Sequence, residues 1–591
     1  MTLRKFNMSW TTRTIWSAIL VLLLISALSV SADSTKLVSM PDYGDVIDFE
    51  ITPDGRYVVF TADQDTDEKP ELYSIPAAGG TAVKLNNVEP ESSVSGFLVS
   101  PDGARVVYVL DNDLYSVPVE GPKSASVKLH DNGVMISSVY ISPDSRRVVY
   151  PVKESIFTAR ELYSIPIGGG ERVRLNKELV EDGSIDCYYI LISPDSKYVV
   201  YRADQDTFAV EELYSVPIEG PASAAVKLND PLPSGGDVAF KKFAISPDSS
   251  RVVYIADQET DEVDEIYSVP ITGSSTANIK LNGLLPSGGD IDNFKISLDS
   301  RSVIYRADQD RNDIMELYTV PIKGGEPVKL NHEMEIERGS IGDDVHAFEL
   351  SPDGKTVVFE ASWVNHIQNY PDFGNIFSFN VYELFSVAID DPMSEEIELW
   401  TPSEKAGYGS GERYVSDVVL HAANHPICEI NFNRRGDTVV YRAEYPNAGY
   451  CVLWRVQVDG SSQAVQLYSA DDATYPEVKA YQVTKDDSKV VYSMAYDSEM
   501  AAKVGPSLMT PSNLADTRLT KLFSVPINCP GESSQKINGP LVEGGSVADW
   551  DLSPNSREAV YKADQDTLDI QELYLTDLGD CYLYIPLILQ E

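Results

Sequence analysis

The chain reads as an all-β protein, a β-propeller of about ten four-stranded blades, and three observations carry that expectation. A Ser-Pro-Asp type of turn recurs ten times, at Pro53, Pro101, Pro143, Pro194, Pro247, Leu298, Pro352, Arg434, Lys485 and Pro554. The regular steps between these turns are 42 to 54 residues, the length of a four-stranded blade, and two longer steps of 82 and 69 residues hold insertions. After the turns run segments such as Arg251-Val252-Val253-Tyr254-Ile255, apolar on successive residues, so both faces must be buried. A blade sandwiched between two neighbours meets that need; a blade alone does not. One ring is the favoured arrangement, with two rings of about five blades as the alternative.

Taken in order, residues 1–32 carry Arg4, Lys5 and Arg13 without an acidic residue, then an apolar run from Ile15 to Val30 and the small-residue ending Val30-Ser31-Ala32. That is the pattern of a secretory signal peptide, with the mature chain beginning at Asp33 and the protein secreted, extracellular or periplasmic. An uncleaved N-terminal anchor is the alternative, and no membrane span is expected after signal removal. Residues 33–591 form the propeller. Lys36-Leu37 resembles the end of a repeat such as Lys227-Leu228, so the N-terminus is expected to supply the outer strand of the last blade. The segment Tyr582 to Leu589 competes for that place.

Within one unit, four short strands are expected, running A to D outward from the axis. Strand A, such as Phe243 to Ile245, ends at the Ser-Pro-Asp turn and strand B follows it. Strand C, Glu-Leu-Tyr-Ser-Val-Pro, carries its proline at the end, where a missing N–H costs little, and a Gly-Gly turn leads to strand D. Insertions occupy residues 362–382, 400–426 and 494–520, which places all three on the face where B-to-C turns and D-to-A linkers meet. Repeats 8 and 9 depart from the pattern, with Asn433-Arg434-Arg435-Gly436 and Thr484-Lys485-Asp486-Asp487 at the turn. Of five cysteines four lie in the last third, which suits one or two disulfides and leaves at least one thiol unpaired within the chain.

The formal charge of −44, from 91 acidic against 47 basic residues, makes nucleic acid and anionic lipid poor partners. No G-x-S-x-G elbow is present, since Gly407-Tyr408-Gly409-Ser410-Gly411 has the wrong order, so a propeller with an appended serine hydrolase is excluded.

The order S-P-D-G, V-V-Y-x-A-D-x-D, E-L-Y and a final Leu resembles the propeller repeat of TolB and related periplasmic proteins, over nearly all of residues 43 to 580. The resemblance implies a non-enzymatic propeller that presents an acidic face to a protein or polysaccharide partner.

Three sets of residues are candidates for function. Acidic turns after strand B, notably Asp63, Asp65 and Asp67 and again Asp257, Glu259 and Asp261, offer alternate oxygen ligands of the kind calcium takes. Asp side chains also shape hairpins by bonding their own backbone, and that reading explains the repetition equally well. Four of the six histidines, His346, His366, His421 and His425, fall within repeat 7 and the linker into repeat 8, with Gln368 nearby; they loosely resemble the metal centres of TolB-like lyases that cleave acidic polysaccharide, and a metal-dependent lyase or hydrolase using them is the alternative function. The other two are His130 and His332. Finally, Trp363, Tyr370, Phe373, Phe377 and Phe379 crowd the first insertion, and aromatic residues on a loop held by a rigid scaffold commonly anchor a partner.

Overall fold

The computed structural model describes residues 34–578 apart from 88–91, 132, 134, 136–137, 154–158, 274–277, 332–343, 368–376, 391–395, 401–426, 445–450, 468–476, 498–517 and 528–533. It is a single ring of ten antiparallel sheets, each of four strands in the spatial order A-B-C-D. In blade 5 these are Val238–Ile245, Arg251–Ala256, Glu265–Pro270 and Ile279–Lys280. Strands A contact one another across blade boundaries and so line the axis. Among the described residues no helix is long and apolar enough to cross a membrane.

The doubly apolar strand B explains closure. In blade 1, strand B is Tyr57–Ala62; its Val58, Phe60 and Ala62 pack toward blade 10, whereas Val59 packs toward blade 2. The same division holds around the ring, giving ten apolar clusters for ten blade boundaries. The cluster joining Val560 and Leu573 to Val58 and Phe60 closes one ring and removes the two-ring arrangement.

Thr35–Lys36 is the outer strand of blade 10, paired Thr35 to Leu575 and Lys36 to Tyr574, as expected. Leu37 and Val38 behind it are buried against blade 1. The competing segment, Tyr582 to Leu589, lies outside the described residues.

Each motif letter has a contact. The Tyr rings of strands B and C stack, as in Tyr254 and Tyr267 at 5.5 Å between centroids. The Tyr267 hydroxyl donates to Glu265 (2.7 Å), whose other oxygen pairs with Lys280 of strand D. Asn282, which ends that strand, accepts the Ile266 N–H at 3.0 Å and finishes the edge. Blades 8 and 9 form despite their altered turns, because Asn433 Oδ1 accepts the Thr438 N–H (3.0 Å) and the Thr484 hydroxyl accepts the Lys489 N–H (2.9 Å), the task performed by Thr52 in blade 1 and by a serine in the others. Cys187 is buried and free, and Cys451 is disulfide-bonded.

Candidate binding site on blades 7 to 9

The acidic turns divide their work by position. Asp63 is buried, with Oδ1 accepting the Asp45 N–H (2.6 Å) and Oδ2 the Glu68 N–H (3.2 Å), which ties the B-to-C turn to the linker before strand A. Asp257 does the same with the N–H groups of Asp237 and Glu262. Asp65 and Glu259 instead pair with the strand-D lysines Lys84 and Lys280, at 3.0 and 3.1 Å. Asp261 lies over Gly235, where any Cβ would meet its carboxylate. Asp67 sits exposed in the same turn as Asp65. Among the described residues no group of three or more His, Cys, Asp or Glu is placed to hold a metal ion.

Of the histidines, His346 in strand A of blade 7 (Asp344–Leu350) shares a hydrogen bond with Ser362 (2.8 Å). His130 lies 2.8 Å from Arg172 in blades 2 and 3, remote in sequence from the others. His366 stands on strand B of blade 7, while His332, His421, His425 and Gln368 lie outside the described residues.

The first insertion is a hairpin. Strands B and C of blade 7, Thr356–Ile367 and Phe377–Ala388, pair over twelve residues where a regular blade pairs six. Strand A of this blade stops at the level of Ser362, so five further pairs, from Trp363 with Val381 to Ile367 with Phe377, continue beyond it. At about 3.4 Å per residue that projects roughly 17 Å. Trp363, Phe377 and Phe379 are on this projection, and Tyr370 and Phe373 lie outside the described residues. Blade 9 extends the same way, through Lys489–Asp497 and Arg518–Pro526, and its pairing passes strand A by two residues. The insertion 400–426 lies outside the described residues.

At the foot of the hairpin the channel wall holds a cavity of about 330 Å³ between strands A of blades 7 and 8, lined by Ala347, Phe348, Glu349, Ile427, Glu429, Ile430 and Asn431. Both carboxylates are anchored from neighbouring strands. Lys295 of blade 6 pairs with Glu349, and Arg442 lies 3.2 Å from Glu429, which also accepts from Asn431 Nδ2 (3.0 Å).

Sequence reasoning missed Glu349, Glu429, Asn431 and the cations behind them. One signal was legible: Tyr-Arg-Ala recurs in strand B at Arg202, Arg306 and Arg442. Each of these guanidinium groups donates to a strand-A carbonyl of the next blade, Val238 (2.9 Å), Val345 (3.0 Å) and Val478 (2.9 Å) respectively, and Lys562 reaches Ile47 O (2.7 Å). Blade 7 replaces the cation with Glu360. Its buried carboxyl accepts the Ile427 N–H (3.4 Å) and is pushed up to about 7 by desolvation.

No protein-family model and no curated protein matches the chain. Among solved structures, one described as a eukaryotic initiation factor is similar at 10% identity, over 79% of this chain and 93% of that one, with a TM-score of 0.43. Oligogalacturonate lyase in complex with manganese is similar at 15% identity, over 62% and 96%, with a TM-score of 0.30. At these values neither chain's chemistry carries over.

Proposed function

We propose that this protein is a non-enzymatic, exported propeller that holds a protein or polymer partner on the rim of blades 7 to 9. The observation that carries the reading is the hairpin Thr356–Ile367 with Phe377–Ala388, which stands beyond its blade beside a channel-wall cavity. A rigid ring with aromatic residues on a projecting element is suited to anchoring a partner. The TolB-like repeat supports the same role, and the signal pattern at residues 1–32 supports export.

The test is a deletion of residues 364 to 378, assayed by capture from extracellular extract with the bound material identified by mass spectrometry and sugar analysis. The deletion protein should keep its circular dichroism spectrum and melting temperature and lose the partner. Full capture would place the surface elsewhere, and turnover of a captured polymer would contradict the non-enzymatic reading. Intact mass of the secreted protein should begin at Asp33; a retained Met1 would refute cleavage.

A further inference from the structure

We propose that the cavity between strands A of blades 7 and 8 binds a neutral, hydroxyl-rich ligand the size of one sugar ring. This deepens the partner-binding reading and rests on it, since it makes the partner a polysaccharide. The volume, about 330 Å³, lies at the small end of the roughly 300–1,000 Å³ typical of small-molecule sites.

Charge selects the ligand class. Glu349 and Glu429 line the cavity, and each already has a cation upon it, Lys295 and Arg442. An incoming cation would meet those two positive groups, and an incoming anion would meet the two carboxylates. A neutral ligand meets neither penalty, and it finds carboxylate oxygens and the Asn431 amide as hydrogen-bonding groups. A hydroxyl both donates and accepts, so a polyol can use this mixture without bringing a charge that must lose its water. Of the apolar lining, Phe348, Ile427 and Ile430 are buried in the blade boundaries, so apolar contact with a ring comes from Ala347 and the hold on it is chiefly polar.

The polar groups are also held in place, which lowers the entropy lost on binding. Glu429 is bracketed by Asn431 on its own strand and by Arg442, which is itself fixed by the Val478 carbonyl of blade 9. Glu349 is tied across a blade boundary to Lys295. Ala347 remains exposed at the edge, so the site is reachable from solvent.

Titration calorimetry of the full chain against methyl glycosides of glucose, galactose, mannose and N-acetylglucosamine tests this, with glucuronate and n-butylamine as charged probes. At least one neutral glycoside should bind, with the charged probes at least tenfold weaker. Ala347→Trp, at an exposed position, should fill the cavity and weaken binding at least tenfold with an unchanged melting temperature, and Asn431→Ala should weaken it severalfold. Absence of glycoside binding, equal binding of a charged probe, or full binding by Ala347→Trp would overturn the proposal. The two readings fail separately. Hairpin-dependent capture without glycoside binding sinks only the cavity, whereas glycoside binding with hairpin-independent capture sinks only the rim surface.

Discussion

Ser249 occupies the last place of a Ser-Pro-Asp-Ser turn with φ at 61°, a conformation that favours glycine, and blades 1, 2, 7 and 8 do use glycine there. Serine is kept because its hydroxyl accepts the Asp195 N–H of the preceding blade at 3.0 Å, and Ser145, Ser196 and Ser300 repeat the link. Ser249→Ala keeps the strained backbone and loses the bond, so it should cost about 1 kcal/mol or slightly more, while Ser249→Gly relieves strain as it loses the bond and should be nearly neutral. Urea unfolding of both variants checks this: an unchanged Ser249→Ala would show that the hydroxyl does not matter, and equal losses in the two would show that the backbone strain does not. Carboxylates set the pH dependence. Glu50, Glu211 and Glu360 are each pushed up to about 7, chiefly by desolvation. Their folded forms hold protons that the unfolded chain releases near pH 4.5, so stability falls as pH rises from about 4.5 to 7 and the loss is complete above that window. Asp299 acts in the opposite sense: the Ser297 hydroxyl holds its carboxyl below the ordinary value, and the stability it supplies is lost as pH falls through that lowered value. Glu360→Gln should raise the melting temperature at pH 8 and leave it nearly unchanged at pH 4.5; an unaltered pH slope would show that Glu360 does not carry the effect.

At the scale of elements, strands D are only two residues long in most blades, which leaves little exposed edge for pairing with another chain. The closing strand Thr35–Lys36 is equally short, so its hold comes from side chains. Lys36 pairs with Asp566 and Glu572, both at 2.6 Å, and Ser34 lies within hydrogen-bond distance of Gln565 (3.1 Å). Leu37 is buried between blades 10 and 1. Leu37→Ala should therefore destabilise the ring by about 2–5 kcal/mol, the usual cost of a large-to-small change in a core. The exposed Leu284 offers a control whose replacement by alanine should change little. Comparable melting temperatures for Leu37→Ala and wild type would mean that the ring does not depend on this closure.

For the whole molecule, the negative charge is woven into the ring as well as spread over it. Asp63 and Asp257 use both carboxylate oxygens on backbone N–H groups, and Asp65 and Glu259 are taken by lysines. A ligand that binds only the folded state raises stability as RT ln(1 + [L]/Kd). Removing calcium with a chelator should accordingly leave the melting temperature where it was, and a drop of several degrees, restored by added calcium, would establish the acidic turns as calcium sites.

What the sequence by itself determined is whatever repeats. The ten turns, the doubly apolar strand B and the Lys-Leu of the N-terminus specify blades, their stacking and the way the last blade is completed, because each is a local pattern that every blade must satisfy alone. Even the departures at Asn433 and Thr484 were legible as turns, since another side-chain oxygen can take the place of the serine. Ring closure between Val560 and Val58, the cavity shared by Glu349 and Glu429, and the reach of Arg442 into blade 9 were decided only by tertiary structure. These join residues from different blades, and their meeting depends on blade count and on the angle between sheets, neither of which is written in any one repeat. The aromatic insertion falls between the two: its position was plain from the broken spacing, whereas its form as a continued hairpin required the pairing of Trp363 with Val381 and Ile367 with Phe377.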